Sequence, residues 1–175
     1  MRYRVVLPLV ALLAIIPAAV MMNVPLRLVH APIVPAPLAR PVMPTQAPGG
    51  EPIAAATRCL AEAVYFEARG TSAKSRAAVA HVVVNRALSP DFPDTVCAVV
   101  RQGCQFSYNC DGKPEVLADR KSRDKAMETA RAVLADRIPD PTDGALFYHG
   151  RSVKPDWSDA FQQTSELGGH IFYRY

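Results

Sequence analysis

Prolines are concentrated near the start of the chain, and this distribution restricts where a folded domain can form. Of the 16 prolines in the 175-residue sequence, ten lie in residues 1–52. Proline lacks an amide hydrogen and fixes φ, so a proline-dense tract is typical of an extended, semi-rigid spacer. The sequence therefore predicts a disordered or extended linker over residues 24–56 and leaves one domain, residues 57–175.

Residues 1–23 have the composition of an export segment. A basic start, Met1–Arg4, precedes an uncharged run of 18 residues that ends at Met22. The flanking positive charge stays in the cytoplasm while the apolar run enters the bilayer. The length lies between a signal-peptide core and a short membrane span, and no clean Ala-x-Ala cleavage site follows. We expect an uncleaved inner-membrane anchor that holds the domain in the periplasm; a cleaved signal peptide is the alternative.

The positive charge of the chain belongs mainly to this N-terminal part. The formal net charge is +4, and residues 1–56 contribute four arginines against one glutamate, which leaves 16 basic and 15 acidic groups on the domain. A nearly neutral domain lacks the clustered Lys/Arg stripe that a phosphate backbone requires. We therefore expect no nucleic-acid partner, and we expect a monomer.

Four cysteines lie in the part that is predicted to be exported, where disulfides are the default. They are Cys59, Cys97, Cys104 and Cys110. The intervals contain no Cys-x-x-Cys and no His-x-x-x-His, so the pattern does not fit zinc, and we expect neither metal nor cofactor. Pairing Cys104 with Cys110 would close a short loop and leave Cys59 for Cys97, but three connectivities are compatible with the sequence.

The domain has mainly helical periodicity with two short strand-like runs. Thr57 and Ser72 are candidate N-caps of the first two helices, and Gly70 is a candidate C′ residue of the first. The second helix is apolar on nearly all faces, which indicates a buried central helix in which His81 bonds to the backbone. The predicted helices cover residues 58–69, 73–88, 95–101 and 122–137, and the predicted strands cover residues 144–149 and 169–174.

Glu67 is the candidate catalytic group that the residue pattern suggests. Three-and-four spacing places it on the same helix face as Leu60, Ala63 and Val64. Burial disfavours an ionised carboxylate, and the negative end of the helix dipole acts in the same direction. Both effects raise the pKa, as a general acid requires. A helix-end glutamate that turns to solvent or pairs with Arg69 is the alternative.

Polar and aromatic side chains between Cys104 and Cys110 are candidates for sugar recognition. The segment reads Gln105-Phe-Ser-Tyr-Asn109. Aromatic rings can stack on pyranose faces while amides and hydroxyls meet the sugar hydroxyls. Trp157 is a further aromatic candidate for a sugar-binding groove.

A series of short motifs over residues 58–175 resembles the SleB/CwlJ-type cell wall hydrolases, which cleave peptidoglycan. The motifs are Ala63-Val-Tyr-Phe-Glu-Ala-Arg-Gly70, Ala78-Val-Ala-His-Val-Val-Val-Asn-Arg86, Phe92-Pro93 with Thr95-Val96, Gln105-Phe-Ser107, Gly144-Ala145 with Phe147-Tyr-His149, Trp157, and Gly168-Gly-His-Ile-Phe-Tyr173. The sequence departs from the family pattern at Thr71, where the family often has Glu, and at Ser75-Arg76, where it often has Gly-Gln.

The resemblance implies an α+β, mainly α, lysozyme-like domain with a small β element. It also implies cleavage of the MurNAc-GlcNAc bond in peptidoglycan glycan strands. Glu67, in the match to the family's Glu-Ala-Arg-Gly segment, would be the catalytic acid. The candidates for binding the substrate are Gln105, Phe106, Ser107, Tyr148, His149 and Trp157.

The number of available carboxylates separates two reaction types. Ordinary glycosidases use a pair of carboxylates, and no second acidic residue lies in a convincing motif. A lytic transglycosylase needs only one, because the group that protonates the glycosidic oxygen can then accept the proton of the sugar's own 6-hydroxyl. We therefore predict a lytic transglycosylase. An N-acetylmuramidase-type hydrolase and a non-catalytic peptidoglycan-binding module are the alternatives.

Overall fold

The computed structural model describes residues 44–175, which form four α-helices followed by a three-stranded antiparallel sheet. The helices are α1 (Ile53–Ala68), α2 (Ala73–Leu88), α3 (Val96–Val100) and α4 (Arg120–Leu134). The strands are β1 (Phe147–Gly150), β2 (Gln162–Leu167) and β3 (His170–Arg174), in the order β1-β3-β2. The expectation of a mainly helical domain with a small β element is confirmed.

The first helix begins earlier than the sequence predicts, whereas its end is as expected. It starts at Ile53 after Pro52, so residues 53–56, which the sequence places in the linker, are helical. Thr57 is therefore not a cap, and its hydroxyl instead donates to the Ile53 carbonyl at 2.6 Å. A proline at the N-terminal boundary is compatible with a helix start, since no intrahelical partner is needed for its missing amide.

At the other end of α1, Gly70 adopts φ +81°, the left-handed conformation of a C′ glycine.

The last part of the predicted linker packs against the domain. Gln46 and Pro52 form an antiparallel bridge. The Glu51 carboxylate accepts a hydrogen bond from the Cys97 amide at 3.2 Å. The predicted anchor or signal segment and the rest of the linker lie outside the described residues. Within residues 44–175, no helix is long and apolar enough to cross a bilayer.

Side chains cap the remaining helices, and of these caps only Ser72 was predicted. The Ser72 side chain accepts from the Ser75 amide at the start of α2, and the Thr95 side chain accepts from the Ala98 amide at the start of α3. Helix α4 is capped by Asp119 and runs over Arg120–Leu134, so the predicted range of 122–137 lies too far along the chain. The prediction for His81 is confirmed, because its Nε2 lies 3.0 Å from the Ile138 carbonyl oxygen.

The two disulfides have the pairing that the short loop suggested. Cys59 pairs with Cys97, which joins α1 to α3, and Cys104 pairs with Cys110. The second bridge closes the loop that carries the predicted sugar-recognition segment.

The sheet contains one strand that the sequence analysis did not predict. Strand β2 has the sequence Gln-Gln-Thr-Ser-Glu-Leu and lies at the edge of the sheet, paired only with β3. An edge strand exposed to solvent needs little apolar character, so its sequence lacks the usual alternation. In contrast, the aromatic runs that suggested strands form β1 and β3, with Tyr148 opposite Phe172.

Candidate active site

Glu67 lies in the last turn of α1 at the edge of the helical core. The three residues that share its face, Leu60, Ala63 and Val64, are fully buried, and Glu67 itself is half-buried. Burial raises the pKa of its carboxyl above the usual 4.5. Arg69 does not pair with Glu67; its guanidinium lies over the Tyr65 ring at 5.4 Å. A carboxyl with this environment can hold a proton to donate.

Tyr148 on β1 is the polar neighbour of Glu67. Hydrogen bonding with the Tyr148 side chain lowers the Glu67 pKa, which opposes the larger effect of burial. Burial, and next the charge of Glu67, raise the pKa of Tyr148 well above 10. The phenol therefore stays protonated at working pH and is able to donate to the carboxylate.

Tyr108 is a third member of the site, and the sequence analysis did not single it out. Its ring stacks on Phe66 with centroids 4.4 Å apart. Its hydroxyl is buried and has no hydrogen-bond partner among the described residues. Burial raises its pKa, and the negative charges of Glu62, Glu67 and Glu115 act in the same direction. The hydroxyl therefore stays protonated, and Tyr108 does not line the cavity described below.

Arg86 holds the loop of the candidate site in place. It is 7% exposed, and its Nε donates to the Leu146 carbonyl at 2.6 Å. Its Nη1 donates to the Gln105 side-chain oxygen. The guanidinium also lies over the Phe147 ring at 5.9 Å. Arg86 was not predicted as a site residue, and its available signal is a charged side chain at the end of the apolar stretch of α2 over residues 77–84.

A cavity of about 240 Å³ adjoins Tyr148, the polar neighbour of Glu67, and Glu67 itself is not part of its lining. Its lining consists of Arg86, Gln105, Phe147, Tyr148 and Trp157. Three of the six predicted substrate-binding residues, Gln105, Tyr148 and Trp157, therefore meet in one concave surface. The combination of aromatic rings, an amide and a guanidinium can both stack on a sugar and bond to its hydroxyls.

Two other predicted substrate-binding residues are part of the protein interior. Phe106 is 1% exposed and packs in the helical core, so its ring does not face a ligand. His149 is 9% exposed, with Nδ1 at 2.9 Å from the Gly150 oxygen and Nε2 at 3.0 Å from the Tyr173 hydroxyl. Both ring nitrogens of His149 therefore have hydrogen-bond partners within the protein. Ser107 is exposed at the start of a short 3-10 turn, Ser107–Cys110, and does not line the cavity.

No second carboxylate is among the causes that shift the pKa of Glu67, although Glu62 and Glu115 act together with Glu67 on Tyr108. Burial and the Tyr148 hydrogen bond are the causes of its pKa shift, with no acidic residue of the described chain among them. One grouping of metal-ligand atoms occurs within residues 44–175, and it consists of Glu51, Cys59 and Cys97. Both of its sulfurs belong to a disulfide, so they are not available as thiolate ligands.

The fold and site together define a mainly helical domain with one protonatable carboxylate beside an aromatic cavity. The sequence profile of the family described as Cell Wall Hydrolase matches residues 70–173. The chain therefore belongs to the cell wall hydrolase family. The five cavity residues lie within the matched segment, and Glu67 lies three residues before it.

Relatives and solved structures agree with this membership. The spore cortex-lytic enzyme of Halalkalibacterium halodurans is 35% identical over 116 residues, which cover 65% of this chain and 33% of that protein. The spore cortex-lytic enzyme of Bacillus subtilis is 35% identical over 118 residues, which cover 66% of this chain and 36% of the relative. The chain thus spans about a third of the length of these curated relatives.

Two catalytic domains of known structure have a similar fold. The catalytic domain of the germination-specific lytic transglycosylase SleB from Bacillus anthracis superposes with a TM-score of 0.56 at 29% identity, covering 68% of this chain and 93% of that one. The catalytic domain of the Bacillus cereus SleB protein superposes with a TM-score of 0.58 at 28% identity, covering 75% of this chain and 98% of that one. The similarity therefore includes nearly the whole of each catalytic domain.

Proposed function

We propose that this protein cleaves the MurNAc-GlcNAc bond of peptidoglycan glycan strands as a lytic transglycosylase, with Glu67 as its catalytic residue. Membership of the cell wall hydrolase family supports peptidoglycan as the substrate. The solved relative described as a lytic transglycosylase supports the reaction type. The observation that carries the proposal is the half-buried Glu67 carboxyl of raised pKa beside Tyr148, which lines an aromatic cavity.

In the first step of the proposed reaction, protonated Glu67 donates its proton to the glycosidic oxygen. The bond between this oxygen and C1 of MurNAc breaks, and the GlcNAc side leaves as an alcohol. Positive charge develops on the MurNAc ring, and the new Glu67 carboxylate stabilises it. The Tyr148 hydroxyl stabilises this carboxylate by hydrogen bonding.

In the second step, the Glu67 carboxylate accepts the proton of the MurNAc 6-hydroxyl. The oxygen of that hydroxyl attacks C1, which forms the 1,6-anhydro ring and leaves Glu67 protonated for the next cycle. No water is consumed, and one carboxyl performs both proton transfers. A muramidase would instead activate water with a second carboxylate.

The catalytic proposal is distinct from a binding-only role. A module that only binds peptidoglycan gains nothing from burying part of a carboxyl, because desolvation of this group costs free energy. The same burial is useful for proton donation near neutral pH. Catalytic sites typically keep a group in an environment that lowers the free energy of unfolding.

Product analysis tests the reaction type. The full chain is incubated with intact sacculi, and the soluble fragments are identified by mass spectrometry. Transglycosylation gives fragments that end in 1,6-anhydro-MurNAc, whereas hydrolysis gives fragments that are 18 Da heavier with a reducing end, as expected from the addition of one water. Reducing ends alone would replace the transglycosylase proposal by a muramidase. The absence of any fragment would favour the binding module.

The lysozyme-like character of the fold, the monomeric state and the cellular location belong to the same proposal. We infer a periplasmic domain tethered to the inner membrane by residues 1–23, on the basis of their charge and apolar run. The two disulfides fit an oxidising compartment. A thiol count on protein from intact cells tests the location, because four free thiols would contradict export.

A further inference from the structure

A second, smaller cavity lies at the C-terminal end of α1, and its charged lining is entirely cationic. Its volume is about 70 Å³. The charged residues in its lining are Arg69, Arg76, Lys121 and Lys125, and the other lining residues are uncharged. One water takes about 30 Å³ of liquid volume, so the cavity suits a group of a few heavy atoms and is too small for a sugar ring.

None of the four cations takes part in an ion pair within residues 44–175. Asp124 and Glu128 lie beside Lys121 and Lys125 on the adjoining surface of α4 and do not line the cavity. Asp124, which is on the same helix as the two lysines, lies at 3.9 Å from Arg120 and 3.7 Å from Arg123 instead. Asp119 is held as the α4 cap by Ser122; this hydrogen bond is the main cause of its lowered pKa, and Arg69 contributes least.

Arg76 is the most constrained of the four cations. It is half-buried, and its Nη1 donates to the Thr71 carbonyl at 2.7 Å. Its Nε lies 3.4 Å from the Thr129 hydroxyl oxygen. Both partners are neutral, so the guanidinium is positioned by the fold without being neutralised. A fixed planar guanidinium is well suited to bind a carboxylate.

Lys121 and Lys125 line the cavity from α4 and, like Arg76, form no ion pair with the described residues. They lie one turn apart on α4, and like charges at this spacing repel each other. Both side chains are exposed, and neither forms a hydrogen bond with the described chain. An anion placed between them and Arg76 would relieve this repulsion.

We propose that this cavity binds a carboxylate on the peptide stem of the glycan strand and thereby sets a preference for stem-bearing substrate. The inference depends on the proposed function, which supplies the substrate class. The sugars of such a strand are uncharged once the lactyl group is in amide linkage to the stem. The negative charges of the polymer are therefore the carboxylates of its stems, which match the cationic lining.

The distance from Glu67 is compatible with this role. Arg69 follows Glu67 by two residues, so its side chain projects about 200° further around the helix, on nearly the opposite side. A helix with its side chains is about 10–12 Å across, and an extended peptide covers about 3.3–3.6 Å per residue. A stem of four residues is therefore long enough to pass around the end of α1 from a sugar bound at Glu67.

The test compares two soluble glycan substrates that differ in one property. One carries stems with free carboxylates, and the other carries the same stems with the carboxylates amidated. The full chain is assayed beside Arg76→Gln and Lys125→Gln, with Arg131→Gln as the matched control. Arg131 is an exposed residue of the same helix as Lys125 and does not line the cavity.

The unmodified chain is expected to have the lower KM for the stems with free carboxylates. Loss of a charge-assisted hydrogen bond predicts a rise in this KM of about tenfold for Arg76→Gln. An exposed charge predicts about threefold for Lys125→Gln. kcat should change little, the KM for amidated stems should stay constant, and Arg131→Gln should behave as the unmodified chain. Lys125→Gln leaves the bonds of Arg76 intact, so it separates binding from folding.

The contrary outcomes are distinguishable. Equal KM values of the unmodified chain for both substrates would overturn the carboxylate cavity and leave the proposed function standing. Cleavage of neither substrate would overturn the proposed function and the cavity with it. An equal loss in Arg131→Gln would show a general effect of net charge. Competition by inorganic phosphate, with none by the free stem peptide, would assign the cavity to phosphate groups and overturn the proposal.

Discussion

The helical part and the sheet part of the domain bury their side chains in different ways. The core of α1 and α2 consists largely of alanine and valine, which allows the helices to approach closely. The sheet part has a small apolar cluster around Phe172 and an adjoining group of aromatic rings. Phe147 is central to this group, with Trp157 at 5.8 Å and Phe161 at 4.6 Å between ring centroids.

This difference suggests that the helical part and the sheet part have different functions in the candidate site. Glu67 belongs to the closely packed helical part, where small shifts are resisted. The cavity is lined mainly by residues of the loop and the sheet part, which offer rings and polar groups to a ligand. Substitutions in the helical part should therefore change kcat or stability, and substitutions among the aromatic rings should change KM. Tyr148 is the exception that joins the two parts.

The largest expected effect is that of Glu67→Gln. An amide is isosteric with the carboxyl but transfers no proton, so we expect kcat to fall on the order of a thousandfold. Release of soluble fragments from sacculi measures the loss. Glu62→Gln is the matched control, since Glu62 is on the same helix and its pKa is also raised, first by burial and then by Glu115. A comparable loss in the control would indicate a two-carboxylate mechanism.

The same substitution should also stabilise the protein at neutral pH. The folded-state pKa of Glu67 is raised above 4.5, so the folded state binds more protons than the unfolded state between the two values. Stability from this group is therefore lost as pH rises through the folded pKa. Glu67→Gln should raise Tm more at pH 7 than at pH 4. Equal shifts at the two pH values would contradict the raised pKa.

The second effect concerns the two disulfides, which constrain different parts of the chain. Cys59 and Cys97 are 38 residues apart, and Cys104 and Cys110 are six apart. Loop entropy predicts a loss of about 4 kcal/mol in the free energy of unfolding when the first pair is replaced by alanine, and about 2 kcal/mol for the second. Urea unfolding measures both.

Activity at a temperature where both disulfide variants remain folded separates their roles. The Cys104/Cys110 variant should have a raised KM, because Gln105 is on the loop that this bridge closes. The Cys59/Cys97 variant should keep the KM of the unmodified chain. The reverse pattern would contradict the proposed placement of the loop at the substrate.

The helical part could be predicted from the sequence better than the sheet part, for a physical reason. The cap at Ser72 and the turn glycine at Gly70 act locally, so their effects can be read from a few neighbouring residues. The start of α1 was missed because Pro52 was assigned to the linker, although the same residue type is compatible with a helix start. Local signals thus predicted the helices, with errors at their ends.

The candidate site depends on contacts between distant residues, and these were only partly predictable. The interior position of Phe106 and the two bonds of His149 follow from packing that no local pattern reports. Arg86 and Gln105 are 19 residues apart, and their contact exists only because the loop folds back onto α2. The position of Glu67 on the buried helix face was predictable because that face is encoded in three-and-four spacing, whereas its role as the acid was predicted only through the family resemblance.

The third effect is that of Tyr148→Phe, which tests the link between the two parts. Loss of the phenol removes the hydrogen bond that lowers the pKa of Glu67, so this pKa should rise further. The acid must be protonated in the first step, and the limb of the kcat/KM profile that falls with rising pH should therefore move to higher pH. Loss of carboxylate stabilisation should lower kcat about tenfold.

Tyr173→Phe is the control for the Tyr148 prediction. Its hydroxyl lies 3.0 Å from His149 Nε2, and Tyr173 is not among the groups that shift the Glu67 pKa. The control should lose some stability without a shift of the pH profile. A profile of Tyr148→Phe that is superimposable on that of the unmodified chain would contradict the role assigned to the phenol.

The smallest effect expected is that of Trp157→Ala on substrate affinity. Trp157 lines the cavity, and stacking of a ring on a sugar should contribute about 1 kcal/mol, which predicts a rise in KM of about fivefold with kcat little changed. Phe161→Ala is the control, because Phe161 belongs to the same aromatic group but does not line the cavity. Both variants should lower Tm, since each removes packing around Phe147. If Phe161→Ala raised KM as much as Trp157→Ala, the aromatic group would affect substrate affinity through its rigidity. The proposed contrast, in which the helical part transfers protons and the aromatic part contacts the sugar, would then fail at Trp157.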